Sequence, residues 1–179
     1  MTEDWIIDDG LLGSGRNDDS NPPSIACKSI NQGYISEDPD DAVIVVGVNH
    51  KKANMSVYSS LAVYDLAYLW GVTGVGDTSL DGTAEIYVNQ DDVQYTDPEL
   101  AAALPFLYVY KIKRSCRPLE LGCLAIPCKA TPENVHLYIP LSHPIGFAER
   151  LYDNPESNVG ASVDEIVMPV QMHVTKRRG

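Results

Sequence analysis

Short runs of β-branched and aromatic residues, each closed by turn-forming residues, recur along most of this chain and limit what it can fold into. The most distinct run is 42–48, seven consecutive apolar residues between Asp41 and Asn49. Other runs of this kind lie at 56–64, 84–88, 106–113, 135–139, 165–168 and 170–174. Such short segments between turn signals are typical of strands. The pattern therefore predicts six to seven short strands.

Two short helices are predicted among these strands. Residues 97–104 begin with Asp97 in the N-cap position and Pro98 in the first helical position, and they continue into an alanine run. Residues 145–152 have a composition that suits two helical turns. Many strands and few helices favour a mainly β fold, either a sandwich or an open barrel. An α+β fold is the alternative.

The acidic charge of the chain is concentrated at its start. The 179 residues carry a net charge of -12, and 1–41 hold ten acidic residues against Arg16 and Lys28, a net -8. This segment is also rich in turn formers, although Trp5 and Leu11 offer apolar anchors. We therefore predict that 1–41 is an acidic, loop-rich arm, docked on a single β-rich domain at 42–179.

Composition excludes two classes of protein. A pI of about 4.5 argues against a nucleic-acid-binding surface, which needs clustered Lys and Arg. The chain also has no apolar stretch of about 18 residues, the length that a membrane-spanning helix requires. We expect neither a nucleic-acid partner nor a membrane span.

The four cysteines are evidence about the cellular compartment in which the protein works. Three of them fall within a 13-residue stretch that also contains two prolines and a glycine. The cysteines are Cys27, Cys116, Cys123 and Cys128. Because packing alone holds such a loop poorly, we favour two disulfides that include Cys27, and with them an extracellular or periplasmic location. Four reduced cysteines in a cytoplasmic protein are the alternative. No metal site is predicted, since the spacings lack the paired knuckles of zinc sites.

No contiguous catalytic motif is present. The chain contains neither the G-x-S-x-G serine elbow nor a phosphate-binding P-loop. Ser142 and His143 are adjacent, but neighbouring side chains on an extended chain point apart. Acid–base chemistry would therefore draw on scattered residues, and the candidates are His50, His136, His143, Glu149 and Asp153. An enzyme should bring at least two of them into one concave pocket.

Aromatic residues suggest a binding surface instead. The chain has ten Tyr and two Trp, and aromatic rings on an exposed strand face can stack on sugars or contact a protein. The candidate binding residues are Tyr58, Tyr64, Trp70 and Tyr108. The leading hypothesis is a non-catalytic, extracytoplasmic interaction or structural module that binds glycan or protein. A small hydrolase or isomerase is the alternative, so enzyme activity stays open.

Two acidic groups could hold calcium. They are Asp38, Asp40 and Asp41 in the first group and Asp91, Asp92 and Asp97 in the second. Neither follows the EF-hand spacing, so we expect solvated turn residues and no cofactor.

Pro169 bears on the position of the last strand. Proline lacks the N–H that a central strand donates, which predicts an edge or a bulge at this point. An exposed edge is a place where a partner strand or a second subunit can add.

Overall fold

Two β-sheets form most of the described structure. The computed structural model describes residues 33–88, 97–152 and 165–175 in full, and the backbone alone of 5–8, 24–32 and 89. In these residues the strands are β1 (Trp5–Asp8), β2 (Ser24–Gly33), β3 (Ala42–Val48), β4 (Tyr58–Asp65), β5 (Trp70–Gly76), β6 (Leu107–Lys113), β7 (Cys123–Ala125), β8 (Ile145–Tyr152) and β9 (Val170–Val174). The predicted mainly β fold is confirmed.

The strands pair in a largely antiparallel order. One sheet has five strands in the order β1-β2-β8-β4-β5, and the other has four in the order β7-β6-β3-β9. Only the β6–β7 pair is parallel among the described strands. β8 is the centre of the larger sheet, where Glu149 lies opposite Cys27 of β2 and opposite Leu61 of β4. As Pro169 predicts, β9 forms a sheet edge.

The inner faces of the two sheets share one apolar core. Val45 of β3 and Ile112 of β6 belong to the four-stranded sheet, and Leu61, Val63 and Phe147 belong to the five-stranded sheet. All five are buried. Because alternate residues of a strand point to opposite faces, the residues between them face outward. The arrangement is therefore a two-sheet sandwich.

Three short helices lie between β5 and β6. They are α1 (Asp77–Leu80), α2 (Thr83–Asn89) and α3 (Pro98–Ala103), and a 3₁₀ turn, Leu104–Phe106, follows. The N-cap prediction is confirmed, since the Asp97 side chain accepts hydrogen bonds from the backbone N–H groups of Glu99 and Leu100. Thr83 joins α2 to the sheet, because its hydroxyl accepts a hydrogen bond from the backbone N–H of Val109.

Four local predictions differ from the structure. Residues 145–152 form the central strand β8 rather than a helix, and 84–88 lie in α2 rather than in a strand. Residues 135–139 form a turn followed by irregular backbone, and 165–168 are irregular rather than a strand. The physical reason for the first difference is tertiary: in β8, Phe147 and Leu151 are buried between two neighbouring strands, and this burial outweighs the local helix propensity.

A buried arginine ties the irregular segments to the sandwich. Arg114 follows β6, and its Nε and Nη2 atoms both donate to the carbonyl oxygen of Ile35, at 3.0 and 2.7 Å. Its Nη1 atom donates to the carbonyl oxygens of Ile126 and Ile139, at 3.2 and 2.7 Å. One side chain therefore connects three segments that lie far apart in the sequence.

The first 41 residues contribute two strands. β1 pairs with β2, and β2 pairs with β8, so both lie at one end of the larger sheet. Residues 1–4 and 9–23 are outside the described residues, and docking of the whole arm stays a prediction. No helix in the described part of the chain has the length and apolar character needed to cross a membrane.

Candidate ligand-binding groove

The catalytic candidates separate into two places in the structure. His136 and His143 line one groove at the surface. His50 and Glu149 lie together in the core, where both side chains are fully buried. Asp153, the fifth candidate, is outside the described residues. The structure therefore brings four of the five candidates together two by two, in different environments, and their catalytic role stays a prediction.

The groove lies where β4 turns into β5. Its volume is about 420 Å³, which falls in the range of small-ligand sites. Its lining residues come from the β4–β5 hairpin and from the irregular segment before β8. They are Asp65, Tyr68, Trp70, Val72, Val135, His136, Tyr138, Pro140, Ser142 and His143.

The tip of the β4–β5 hairpin exposes three large apolar side chains. Asp65 ends β4, and its Oδ1 atom accepts a hydrogen bond from the backbone N–H of Ala67, which starts the turn. Tyr68 is 73% exposed, Leu69 69% and Trp70 65%. Leu69 also has a positive φ of 54°, a conformation that leucine rarely adopts. Folding alone does not account for three such side chains in water, and contiguous apolar exposure is typical of binding sites.

An aspartate–histidine pair forms one wall of the groove. His143 Nδ1 lies 2.7 Å from Asp65 Oδ2, and Asp65 is buried beneath it. The ring of Tyr68 contacts the imidazole edge-on, with 5.1 Å between the ring centroids. Asp65 thereby fixes the orientation of the imidazole.

The groove is poor in cations. Its carboxylate and imidazole lining residues are Asp65, His136 and His143, and no Lys or Arg is among the described residues that line it. Asp65 is paired with His143. The groove therefore offers aromatic faces, a hydroxyl and imidazoles, but no fixed positive charge to hold an anion.

The second pair of candidates is a buried polar cluster. His50 Nδ1 lies 3.7 Å from Glu149 Oε1, a distance longer than that of an ordinary hydrogen bond, and both side chains are fully buried. Burial raises the pKa of Glu149, and the neighbouring His50 and Tyr108 oppose part of that rise. Because both side chains are enclosed in the core, this pair does not meet a ligand from solvent in this structure.

The four candidate aromatic binding residues lie in different environments. Trp70 borders the groove. Tyr58 packs against Tyr152 with ring centroids 5.3 Å apart, and the hydroxyl of Tyr64 accepts a hydrogen bond from Arg150. Tyr108 is fully buried, so it is not part of an exposed aromatic surface. The bulk of its ring fills the space beside Gly47, where a Cβ atom would lie 2.5 Å from the Tyr108 hydroxyl.

The described cysteine side chains form one disulfide, whereas two disulfides that include Cys27 were predicted. Cys116 and Cys123 are bonded. Cys128 was predicted to be in a disulfide, but it is a free thiol. Its sulfur donates a hydrogen bond to Glu37 Oε1 at 3.1 Å. Burial raises the pKa of the Cys128 thiol, and the Glu37 carboxylate raises it further. The side chain of Cys27 is outside the described atoms.

The acidic groups considered for calcium are engaged in other contacts. Asp41 Oδ2 accepts a hydrogen bond from the backbone N–H of Ser36, and Asp41 Oδ1 lies 2.6 Å from His173 Nε2. Asp38 Oδ1 accepts from the backbone N–H of Asp40. Asp97 caps α3, whereas Asp91 and Asp92 are outside the described residues.

Among the described residues, one group of three potential metal ligands converges. It consists of Cys116, Glu120 and Cys123. The two sulfur atoms are joined to each other in the disulfide, so they are not available as thiolate ligands.

Comparisons with known proteins do not identify a relative of this chain. No protein-family model, no curated protein and no solved structure matches this chain. The interpretation of the groove therefore rests on its own geometry. Asp65 and Tyr68 were missed as site residues because their role depends on a histidine 78 positions from Asp65. A sequence signal for them does exist, since Asp65 precedes a turn that carries Tyr68, Leu69 and Trp70.

Proposed function

We propose that this protein is a non-catalytic binding module that recognises an uncharged glycan in the groove between the β4–β5 hairpin and the segment before β8. The observation that carries the proposal is the pair of exposed rings, Tyr68 and Trp70, beside polar groups in a groove of about 420 Å³. Sugar rings have apolar faces that stack on aromatic rings, and their hydroxyl groups require hydrogen-bond partners.

The polar groups around the rings support a sugar over a peptide side chain or an anion. His136, Ser142 and the Asp65–His143 pair offer donors and acceptors within one groove. The absence of Lys and Arg from its described lining disfavours sulfated or uronic-acid glycans, which need cationic partners. A neutral mono- or oligosaccharide therefore fits the groove best.

An extracytoplasmic location is part of the proposal. The Cys116–Cys123 disulfide supports it, because disulfides persist in oxidising compartments. Location and ligand are consistent with each other, since most glycans that a protein module meets are outside the cytoplasm.

Replacing Trp70 with alanine is expected to weaken binding of neutral oligosaccharides at least about tenfold, because loss of one aromatic anchor removes more than about 1.4 kcal/mol. A glycan array would first identify the ligand, and calorimetric titration would give the dissociation constant. Tyr58→Ala is the matched control, since Tyr58 is a half-exposed ring on the same strand pair but outside the groove lining. Equal loss in both variants, or no neutral glycan bound by the wild-type protein, contradicts the proposal.

A second candidate function is hydrolysis, and the Asp65–His143 pair specifically favours it. A carboxylate at 2.7 Å from Nδ1 holds the imidazole in the tautomer that leaves Nε2 able to accept a proton. In this hypothesis His143 takes a proton from water as the water oxygen bonds to the acyl carbon of an ester bound beside Tyr68 and Trp70. The resulting imidazolium returns the proton to the alcohol oxygen as the acyl C–O bond breaks, which releases the acid and the alcohol.

Chromogenic p-nitrophenyl esters would test this second candidate. His143→Ala is expected to abolish turnover, and Asp65→Asn is expected to lower kcat strongly, because the amide favours the wrong imidazole tautomer. His173→Ala is the matched control, since His173 is also paired with an aspartate, Asp41, but lies outside the groove. Turnover that is the same in the wild-type and His143→Ala proteins would remove hydrolysis from consideration and leave the binding module.

A further inference from the structure

The edge strand β9 exposes an apolar row. Val170, Met172 and Val174 are 53%, 47% and 44% exposed. β9 pairs with β3 on one side, and no described strand lies on its other side. Exposed edge strands present unpaired backbone groups, and proteins usually protect them with charged side chains, prolines or a cover. The five residues of β9 include no Lys, Arg, Asp or Glu.

The register places this row on the outer face of the sandwich. Met172 lies opposite Ile44 and Val170 lies opposite Val46, and both β3 residues are half-buried. The inner face of β9 differs, because His173 is bound there to Asp41. The outer face at this end of the sheet is therefore a continuous apolar surface that runs up to an open strand edge.

We propose that β9 pairs with β9 of a second copy of this chain, antiparallel and about a two-fold axis through Met172. In that register Met172 faces Met172 of the second copy, and Val170 faces Val174. Because side chains alternate with a period of two, all three residues of each row stay on one face. The apolar row is thus complementary to itself, as a two-fold interface requires.

The order of charges along the sequence supports an antiparallel second copy. Lys176, Arg177 and Arg178 follow β9, and Asp164 and Glu165 precede it. In an antiparallel pair the sequence that follows β9 in one copy runs beside the sequence that precedes β9 in the other, so stretches of opposite charge approach each other. A parallel arrangement would bring the two cationic ends together, which is unfavourable. The two joined four-stranded sheets form one continuous eight-stranded sheet, and the dimer carries two grooves.

Sedimentation of the full chain over concentrations from about 1 µM to about 300 µM tests the proposal. The expected result is a concentration-dependent shift from the 19.6 kDa chain to twice that mass. Met172→Glu places two carboxylates at the axis and is expected to raise the dimer dissociation constant at least about tenfold. A wild-type protein that stays monomeric throughout this range overturns the proposal, and so does a dimer that Met172→Glu leaves intact.

Leu119→Glu is the matched control. Leu119 is 98% exposed in the loop before β7, at the opposite edge of the same sheet, so the same substitution there should leave the dimer unchanged. Circular dichroism of both variants confirms that they fold. Loss of the dimer in both would indicate a general effect of added charge and would contradict the assignment to β9.

Disulfide trapping tests the register separately. Residues directly opposite each other in an antiparallel pair have Cβ atoms about 4.5–5.5 Å apart, close enough for cross-linking after a small shift. In a Cys128→Ser background, Met172→Cys is expected to form a covalent dimer with oxidised glutathione, which accepts the two electrons and two protons of the paired thiols. Leu119→Cys in the same background should not. A sedimenting dimer that gives no Met172→Cys cross-link overturns the two-fold axis through Met172.

Discussion

Replacing Arg114 with methionine is expected to lower the free energy of unfolding by about 3 to 5 kcal/mol, a large fraction of the stability of a typical domain. The guanidinium donates to the carbonyl oxygens of Ile35, Ile126 and Ile139. Methionine fills a similar volume but donates nothing, so three carbonyl groups lose their partner in a buried place. Urea unfolding of wild type and variant measures the difference.

Two further variants make this result specific. Arg117→Met is the matched control: the Arg117 side chain is 86% exposed, and the same substitution there should change stability by less than about 0.5 kcal/mol. Arg114→Lys keeps the charge but not the planar set of donors, so it should lie between wild type and Arg114→Met. A loss below about 1 kcal/mol in Arg114→Met would mean that water satisfies these carbonyls.

Arg114 also matters for the groove. Its contact with Ile139 is made next to Tyr138 and Pro140, two groove-lining residues. Loss of the guanidinium should therefore loosen one wall of the groove as well as the core. We expect weaker glycan binding in Arg114→Met even at a temperature where the variant is fully folded.

The stability of the wild-type protein is expected to fall relative to Glu149→Gln by about 1.4 kcal/mol for each pH unit between the ordinary pKa of a glutamate, about 4.3, and the higher folded-state pKa. Burial raises the pKa of Glu149 above that of an exposed carboxyl. Over this interval the folded protein holds a proton that the unfolded chain has released. Raising the pH therefore favours unfolding until the pH passes the folded-state pKa, whereas glutamine has no proton to lose.

Glu120→Gln is the control, and its pH dependence should have the opposite sign. A hydrogen bond from the backbone N–H of Arg117 lowers the pKa of Glu120, and the charge of Lys111 lowers it further. The contribution of Glu120 is present at neutral pH and is lost as the pH falls through its folded-state pKa. Urea unfolding of the three proteins across this pH range, and at lower pH, measures both trends. Parallel curves for wild type and Glu149→Gln would show that Glu149 keeps an ordinary pKa.

Much of the fold could be predicted from the sequence because its strands carry strong local signals. The apolar run at 42–48 became β3, and the alternation at 106–113 became β6. α3 begins where Asp97 and Pro98 indicate. In each case side-chain chemistry and final environment agree, since Tyr110 and Ile112 alternate with half-buried residues along β6 and are themselves buried.

The central strand escaped prediction because of one buried carboxyl. Ile145, Phe147 and Leu151 follow a period of two, but Glu149 occupies the inward position between them. A glutamate among helix-forming residues conceals the strand pattern and suggests two helical turns. Only the tertiary structure, which sets Glu149 beside His50 and Tyr108, explains how a charged residue type is accommodated there.

The groove was less predictable than the fold. His136, His143 and Trp70 were chosen for their chemistry, and all three line it. The partner that orients His143 could not be found, because Asp65 is brought to it by strand pairing between β4 and β8. Local sequence patterns carry no information about such long-range pairing. Tyr108 is an error of a different kind, because it was predicted to be an exposed binding residue and is buried in the core.

The central position of β8 has a consequence for synthesis of the chain on the ribosome. β2 and β4 both pair with β8, and β8 is the last of the five strands to emerge. Until then β1–β2 and β4–β5 are separate hairpins with open edges, and nothing in the described sheet joins them. Pairings between distant segments are slow to form, and unpaired edges are prone to aggregation. Nascent chains that end before Ile145 should therefore depend on chaperones, and protease resistance should appear only once most of the chain has left the exit tunnel.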